Sequence, residues 1–439
     1  MKKIIPLIFI TLFLAMGLTL SLGICMFGPS SAGANERLSE APALFSKDRT
    51  FNDRFLYDVS AWINDHFFLR QEMISLNNSL NASLFQISEK DSVILGHDGW
   101  LYYGSTLNDY TGLDPMSDRE LFAAARNLEL MAEYCRNNGK SFAFMIAPNK
   151  NSLYPQNMPN FGTNSLYHDA NILLAMLKMK DVQTIDLFEA FASEKDILYF
   201  ATDSHWNSKG AALGADLINQ AFGKESTYYN GPFTESTDYT GDLYEMLYPA
   251  YTGHDTQYHY QGELDFSFSG KATQPDSITL LTESNKSDSL LVYRDSFGNL
   301  LYPYLADSYG AVRFSRSTSY DLTLDADHVL IELVERNLRY LISYVPVMPS
   351  PVRQLSIPDH PEETTPLIQK PKATAPDGLT MWTGQLQTDA GDHIYILCDN
   401  TVYEAFLTVD GFAVYLPQDA TPTDVIVGND LNTIRHTVN

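Results

Sequence analysis

The chain opens on Lys2 and Lys3, followed by an uncharged run from Ile4 to Phe27. A helix of ~20 apolar residues spans a bilayer, and basic residues ahead of it hold the N-terminus in the cytoplasm. We read residues 4–27 as a membrane anchor that places residues 35–439 outside the cytoplasm. A signal peptide cleaved near Ala34 is the alternative, because Ala32-Gly33-Ala34 offers small residues; it would leave a secreted protein. Lipid attachment at Cys25 fits less well, with Ile24 where a small residue is expected. Beyond the run, Phe55, Val59, Trp62, Ile63 and Phe67, then Met73, Leu76, Leu80 and Leu84, recur at helical spacing within 35–90. Ser117-Asp118-Arg119-Glu120 is a capping box for a helix that Gly139 ends. The wholly apolar run 142–146 predicts a strand buried on both faces. Helix 170–179 and strand 183–187 follow. The alternation resumes with strand 289–293, helix 298–306, strand 329–332 and helix 335–344. Strands separated by helices predict an α/β fold with a parallel sheet.

Two stretches break the alternation. Residues 222–288 are rich in Tyr, Gly, Ser, Thr and Asp and read as an insertion or lid. Residues 346–376 hold eight prolines and read as a linker that carries few contacts. The last stretch, 377–439, alternates apolar and polar positions and predicts a small β domain, either packed passively on the body or binding sugar. The domain plan is therefore 1–34 anchor or signal, 35–345 main α/β body, 346–376 linker and 377–439 β domain.

Lys plus Arg number 29 against 54 for Asp plus Glu, a net charge of −25. So acidic a chain repels phosphate backbones, which argues against nucleic acid as a partner. Cys25, Cys135 and Cys398 form no CxxC and no disulfide framework, and no metal site or cofactor is expected.

Chemistry concentrates in two segments. In Asp203-Ser204-His205-Trp206 an extended backbone puts Asp203 and His205 on one side, so that the carboxylate can hold Nδ1–H and leave Nε2 as a base. The blander reading is a structural histidine. Asn207 or Ser208 caps the next helix. In Arg294-Asp295-Ser296-Phe297-Gly298-Asn299 a serine follows a strand and precedes a helix, where backbone N–H groups can hold an oxyanion. Otherwise Asp295 or Ser296 is only a helix cap. Both segments are expected at strand ends of one sheet, where α/β proteins bind ligands. Trp206 is either a sugar-stacking wall or core. Asp65-His66 near Arg70 reads as structural.

These two segments resemble the signature blocks of the bacterial DHHW family, relatives of the alginate O-acetyltransferases AlgJ and AlgX within the SGNH-hydrolase group. Trp62–Arg70, Gly96–Tyr102 and Ala147-Pro148-Asn149-Lys150 with Tyr154-Pro155 resemble further blocks of that family, in the same order. The resemblance covers residues 35–345. It implies an SGNH-hydrolase-like parallel sheet flanked by helices in permuted block order, with the Asp–His block ahead of the serine block. It also implies a triad of Ser296, His205 and Asp203. Asn149 or Lys150 would add an oxyanion donor, or Lys150 would neutralise a buried carboxylate. Arg294 stands where the serine block usually has glycine, which puts the shape of the oxyanion hole in question.

The resemblance implies an extracytoplasmic O-acetyltransferase acting on a polysaccharide or other glycan, its acyl donor supplied by a membrane acyltransferase of the MBOAT type. A carbohydrate esterase with the same triad, and a non-catalytic glycan-binding or assembly protein, are the rival expectations.

Overall fold

The computed structural model describes residues 4–33, 36–162, 168–357, 363–365, 375–429 and 433–438; the cleavage position Ala34 lies outside them. Helix α1 (Ile4–Phe27) is, among the described residues, the one helix long and apolar enough to cross a membrane. Helices α2 (Phe55–His66) and α3 (Arg70–Phe85) follow, joined through Leu69 at φ 63°. Helix α4 (Asp118–Asn137) opens on the expected box: Ser117 Oγ accepts from the Glu120 N–H, and the Glu120 carboxylate accepts from the Ser117 N–H at 2.8 Å.

The central sheet is built from β1 (Ser141–Ala147), β2 (Thr184–Asp186), β3 (Thr279–Glu283), β4 (Ser289–Tyr293), β5 (Ala311–Ser315) and β6 (His328–Val334). Their order is β2-β1-β6-β4-β5-β3, with Ser267–Phe268 beyond β3. The first five run parallel, and β3 pairs antiparallel with β5. On one face lie α4 and α5 (Asp169–Lys178), packed over Phe142, Phe144 and Ile146. On the other lie α6 (Ser208–Ala221) and α8 (Gly298–Ser308), packed over Ala143, Met145 and Val292. The apolar run of β1 therefore serves two cores. Ala211, Ala212, Gly214 and Ala215 keep α6 thin enough for α8 to pack close.

Four expectations need correcting. Residues 222–288 are more than an insertion, since they supply strand β3 and the short helix α7 (Asp242–Leu247). The helix expected over 335–344 is a tight turn at Glu335–Asn337 and a short helix at Tyr340–Ser343. Asp203 and His205 do not end a strand of the sheet; their loop precedes α6 and is closed by a bridge between Tyr199 and Trp206.

The fourth concerns the proline-rich stretch, which is not a free spacer at its start. Val347 and Met348 are buried, and Val352–Arg353 pairs with Thr401–Glu404. Residues 358–362 and 366–374 lie outside the described residues. The C-terminal strands form a three-stranded and a six-stranded sheet. Ile394, Ile396, Phe406 and Phe412 join the same apolar core as Leu128 and Met131 of α4.

Candidate active site

Ser296 follows β4 at the start of α8, where the chain must turn sharply. Asp295 holds that turn: Oδ1 accepts from the Phe297 N–H at 3.0 Å, and Oδ2 accepts from the Val334 N–H at 2.8 Å and Asn337 Nδ2 at 2.7 Å. The serine turn is thus tied to the end of β6. Arg294 folds away from the cleft, donating to the Asp295 and Pro275 carbonyls and to Asn299 Oδ1. It packs against Gly298, where a Cβ would collide with its side chain. The arginine braces the turn from beneath.

The Asp203–His205 loop is held from three sides. Lys150 Nζ donates to the carbonyls of Phe200, Ala201 and Asp203 at 3.1, 3.0 and 2.6 Å. Asp255 Oδ2 accepts from both the N–H and the hydroxyl of Thr202. The N-terminus of α7 approaches so closely that a Cβ on Gly241 would overlap the Thr202 backbone. Asn207 caps α6 by accepting from the Lys209 and Gly210 N–H groups. Trp206 Nε1 donates to the Phe297 carbonyl at 3.1 Å, which ties this loop to the serine turn.

The loops bring three side chains into line. His205 Nε2 lies 2.8 Å from Ser296 Oγ, and His205 Nδ1 lies 2.7 Å from Asp203 Oδ1. Asp203 Oδ1 also accepts from the His205 N–H, and Oδ2 accepts from Tyr239 Oη and the Asp242 N–H, both at 2.9 Å. Four hydrogen bonds fill the acceptor sites of a carboxylate and leave it one orientation. Burial pushes the Asp203 carboxyl up, but the hydrogen bond and charge of His205, with these amides, hold it well below the usual range. Burial pulls His205 down, yet the hydrogen bond and charge of Asp203, joined by Asp242, leave it above the ordinary imidazole value. Asp242 Oδ2 lies 3.7 Å from His205 Nδ1 and accepts from Ser204 Oγ at 2.6 Å. Burial and the Asp203 charge push the Asp242 carboxyl up. Asp203, His205 and Asp242 set metal-ligand atoms within 4.8 Å of one another, but every oxygen of the two carboxylates already accepts a hydrogen bond.

Ser296, His205 and Asp203 face a cleft of about 910 Å³, which Tyr103, Met246, Asp276, Asn299, Arg316 and Arg336 also line. The other three sequence candidates lie elsewhere. Trp206 is 0 % exposed and wedged against Phe297, so it offers no face to a sugar. Asn149 is buried, donating to Asp109 and accepting from Arg336 Nη1 at 3.4 Å; it reaches the cleft only through that arginine. Lys150 donates to carbonyls rather than to a carboxylate or an oxyanion, and burial lowers it to about 7. Tyr239, Asp242 and Arg336 were missed. Gly241-Asp242 ahead of the apolar pair Leu243 and Leu247 was a faint helix-start signal. Arg336 follows the C-terminal end of a parallel strand, the place where such sheets bind ligands.

Residues 93–296 match the family described as ALGX: SGNH hydrolase-like domain, acetyltransferase AlgX. The chain is 25% identical over 167 residues to "Probable alginate O-acetylase AlgJ" of Pseudomonas putida, covering 36% of this chain and 42% of that protein. It spans about half or less of the curated relatives it matches. Bacillus cereus PatB1 superposes with a TM-score of 0.44 at 19% identity, over 55% of this chain and 95% of that one. A DHHW family protein from Eubacterium siraeum gives 0.41 at 16% identity, over 56% and 94%. Over residues 93–296, then, the chain is similar to the SGNH hydrolase-like domain of AlgX.

Proposed function

We propose that the protein is an extracytoplasmic O-acetyltransferase that acylates hydroxyl groups of a polysaccharide or other cell-envelope glycan through Ser296. The observation that carries this reading is the unbroken line from Ser296 Oγ through His205 to Asp203 on the wall of an open cleft. Such a line activates a serine for acyl transfer.

His205 Nε2 takes the Ser296 hydroxyl proton as Oγ attacks the acyl carbonyl. Asp203 holds the imidazolium by Nδ1–H. The negative oxygen of the tetrahedral intermediate is held by the Ser296 N–H, which makes no hydrogen bond among the described residues, and by the nearby charge of Arg336. His205 returns the proton to the leaving group, and the acyl group stays on Ser296. A glycan hydroxyl then gives its proton to His205 while its oxygen attacks the acyl carbon. Collapse releases the acylated glycan and restores the Ser296 hydroxyl. The donor side is assigned to a membrane acyltransferase of the MBOAT type, in keeping with an anchor at residues 4–27 and with the domain relationship.

Incubating the full chain with an activated acetyl ester, with and without oligosaccharides that include alginate oligomers, tests this. Acetyl on Ser296 by mass spectrometry and on the sugar supports transfer. Free acetate with no acylated sugar makes the protein an esterase, and no acyl-enzyme at all leaves glycan binding without chemistry.

A further inference from the structure

Helix α3 has its faces reversed. Met73, Leu76, Leu80 and Leu84 share one side and are 39, 54, 50 and 68% exposed. The side turned to the body is polar: Asn78 Nδ2 donates to the Leu247 carbonyl at 2.7 Å, and Ser75 Oγ accepts from the Ala250 N–H at 2.9 Å. Helix α2 adds Leu56 and Ile63 to the exposed apolar surface. A surface helix in water buries its apolar stripe and shows its polar one. A contiguous apolar face left outside marks a surface that meets something apolar.

The position of that face says what it meets. Phe27, the last residue of α1, stacks on Phe68 with ring centroids 4.9 Å apart. The Ser30 N–H donates to the His66 carbonyl at 3.1 Å, and Gln71 Nε2 donates to the Ser31 carbonyl at 2.7 Å. The end of the apolar helix is therefore fastened to the α2–α3 junction, where the exposed stripe begins. We propose that the outer face of α2 and α3 lies on the lipid surface, with the α3 stripe sunk into the headgroup–acyl boundary of the bilayer that α1 enters. This rests on reading residues 4–27 as a membrane span. A helix of this length covers about 24 Å, and interfacial helices sink their apolar face roughly 5–10 Å.

The same helix is linked through α7 to the proposed catalytic machinery. The inner face of α3 grips residues 247–250 at the end of α7, and α7 begins at Asp242, which contacts Ser204 and Asp203. Glu36, just past α1, lines the cleft itself. Seated this way, the cleft lies beside the bilayer, and an acyl group delivered from within the membrane reaches Ser296 without crossing open water.

The test uses the full chain in phosphatidylcholine–phosphatidylglycerol vesicles, with Cys25→Ser as background. A single NBD label is placed through Leu80→Cys or Leu76→Cys on the stripe, Leu14→Cys in α1, or Lys195→Cys as a water reference. Lipids carrying a nitroxide high on the acyl chain supply the quencher. Quenching at positions 76, 80 and 14 by about twofold or more over position 195 is the expected result for an interfacial helix. Quenching at 14 with 76 and 80 matching 195 overturns the lipid surface and points to a protein partner for the stripe. Position 14 matching 195 overturns the membrane span and this inference together, while leaving the Ser296 chemistry untouched.

Discussion

Asp203 accepts four hydrogen bonds and His205 sits between two carboxylates, so the proton affinity of the imidazole is set by neighbours that can be removed singly. Only neutral His205 can take the Ser296 proton. Because its folded value lies above the ordinary imidazole value, kcat/KM should rise with pH along an acidic limb whose midpoint is above about 6.5. Asp242→Asn removes a negative charge 3.7 Å from Nδ1 and keeps the shape, so the limb should move to lower pH. A pH–rate profile of the two proteins checks both statements; an unmoved limb removes Asp242 from the tuning of His205. Ser296→Ala should abolish acyl-enzyme formation and shift stability by no more than about 0.5 kcal/mol, since a half-exposed hydroxyl contributes little packing. Intact-mass spectra and thermal melts read the two effects separately.

At the scale of elements, the site is two loops clamped together, and Lys150 is the clamp on the Asp203–His205 side. Its three hydrogen bonds go to the backbone carbonyls of Phe200, Ala201 and Asp203; that of Ala201 also accepts from the Leu101 N–H, so the loss of the lysine falls on those of Phe200 and Asp203. Lys150→Met should therefore cost at least about 2 kcal/mol of stability, as buried carbonyls lose their donor, and should lower kcat more than it raises KM. Rescue of kcat by Lys150→Arg would instead show that charge near Asp203 matters and the donor geometry does not. Much of this framework was legible beforehand. The uninterrupted apolar run of β1, the Ser117–Glu120 box and the Asn207 cap are local signals that tertiary packing does not override. Ser296, His205 and Asp203 could be named because their spacing and the family resemblance agreed. Strand β5 was illegible because Ala311–Ser315 is only five residues long, with Val312 and Phe314 as its large apolar side chains, too short an alternation to stand out. Tyr239 and Asp242 were hidden for another reason. Their roles exist only where α7 folds back on a loop some forty positions earlier, and a stretch rich in Tyr and Gly carries no periodicity to announce that return. Of the two readings of Trp206, sugar-stacking wall or core, the structure gives core: the side chain is buried and its indole N–H donates to the Phe297 carbonyl.

For the whole molecule, the question is whether the C-terminal strands are a module or part of the body. Glu404 is 1% exposed and receives Arg126 of α4, Arg353 and His393, at 2.7, 2.6 and 3.0 Å. Asn127 of α4 exchanges hydrogen bonds with Leu407 in both directions. Burial pushes the Glu404 carboxyl up, but the hydrogen bonds and charges of His393, Arg126 and Arg353 bring it down to about 2. A folded value below the unfolded 4.5 means stability that is present above pH 4.5 and lost as pH falls toward 2, amounting to about 3 kcal/mol. Melting temperature should therefore fall across that window in the natural chain and much less in Glu404→Gln, which starts lower because two arginines lose their buried partner. The shared core makes a stronger demand. Removing the chain after Pro346 strips Ile394, Phe406 and Phe412 from the α4 face that carries Leu128 and Met131. Each large side chain so exposed forfeits roughly 1.5–3 kcal/mol, and a few of them equal the net stability of an ordinary domain. The truncated chain should accordingly lose cooperative melting and acyl-enzyme formation together, as circular dichroism and mass spectrometry would show. A truncated protein that melts like the parent and still acylates Ser296 would make the C-terminal strands a detachable module, and the glycan affinity lost with them would then measure what that module binds.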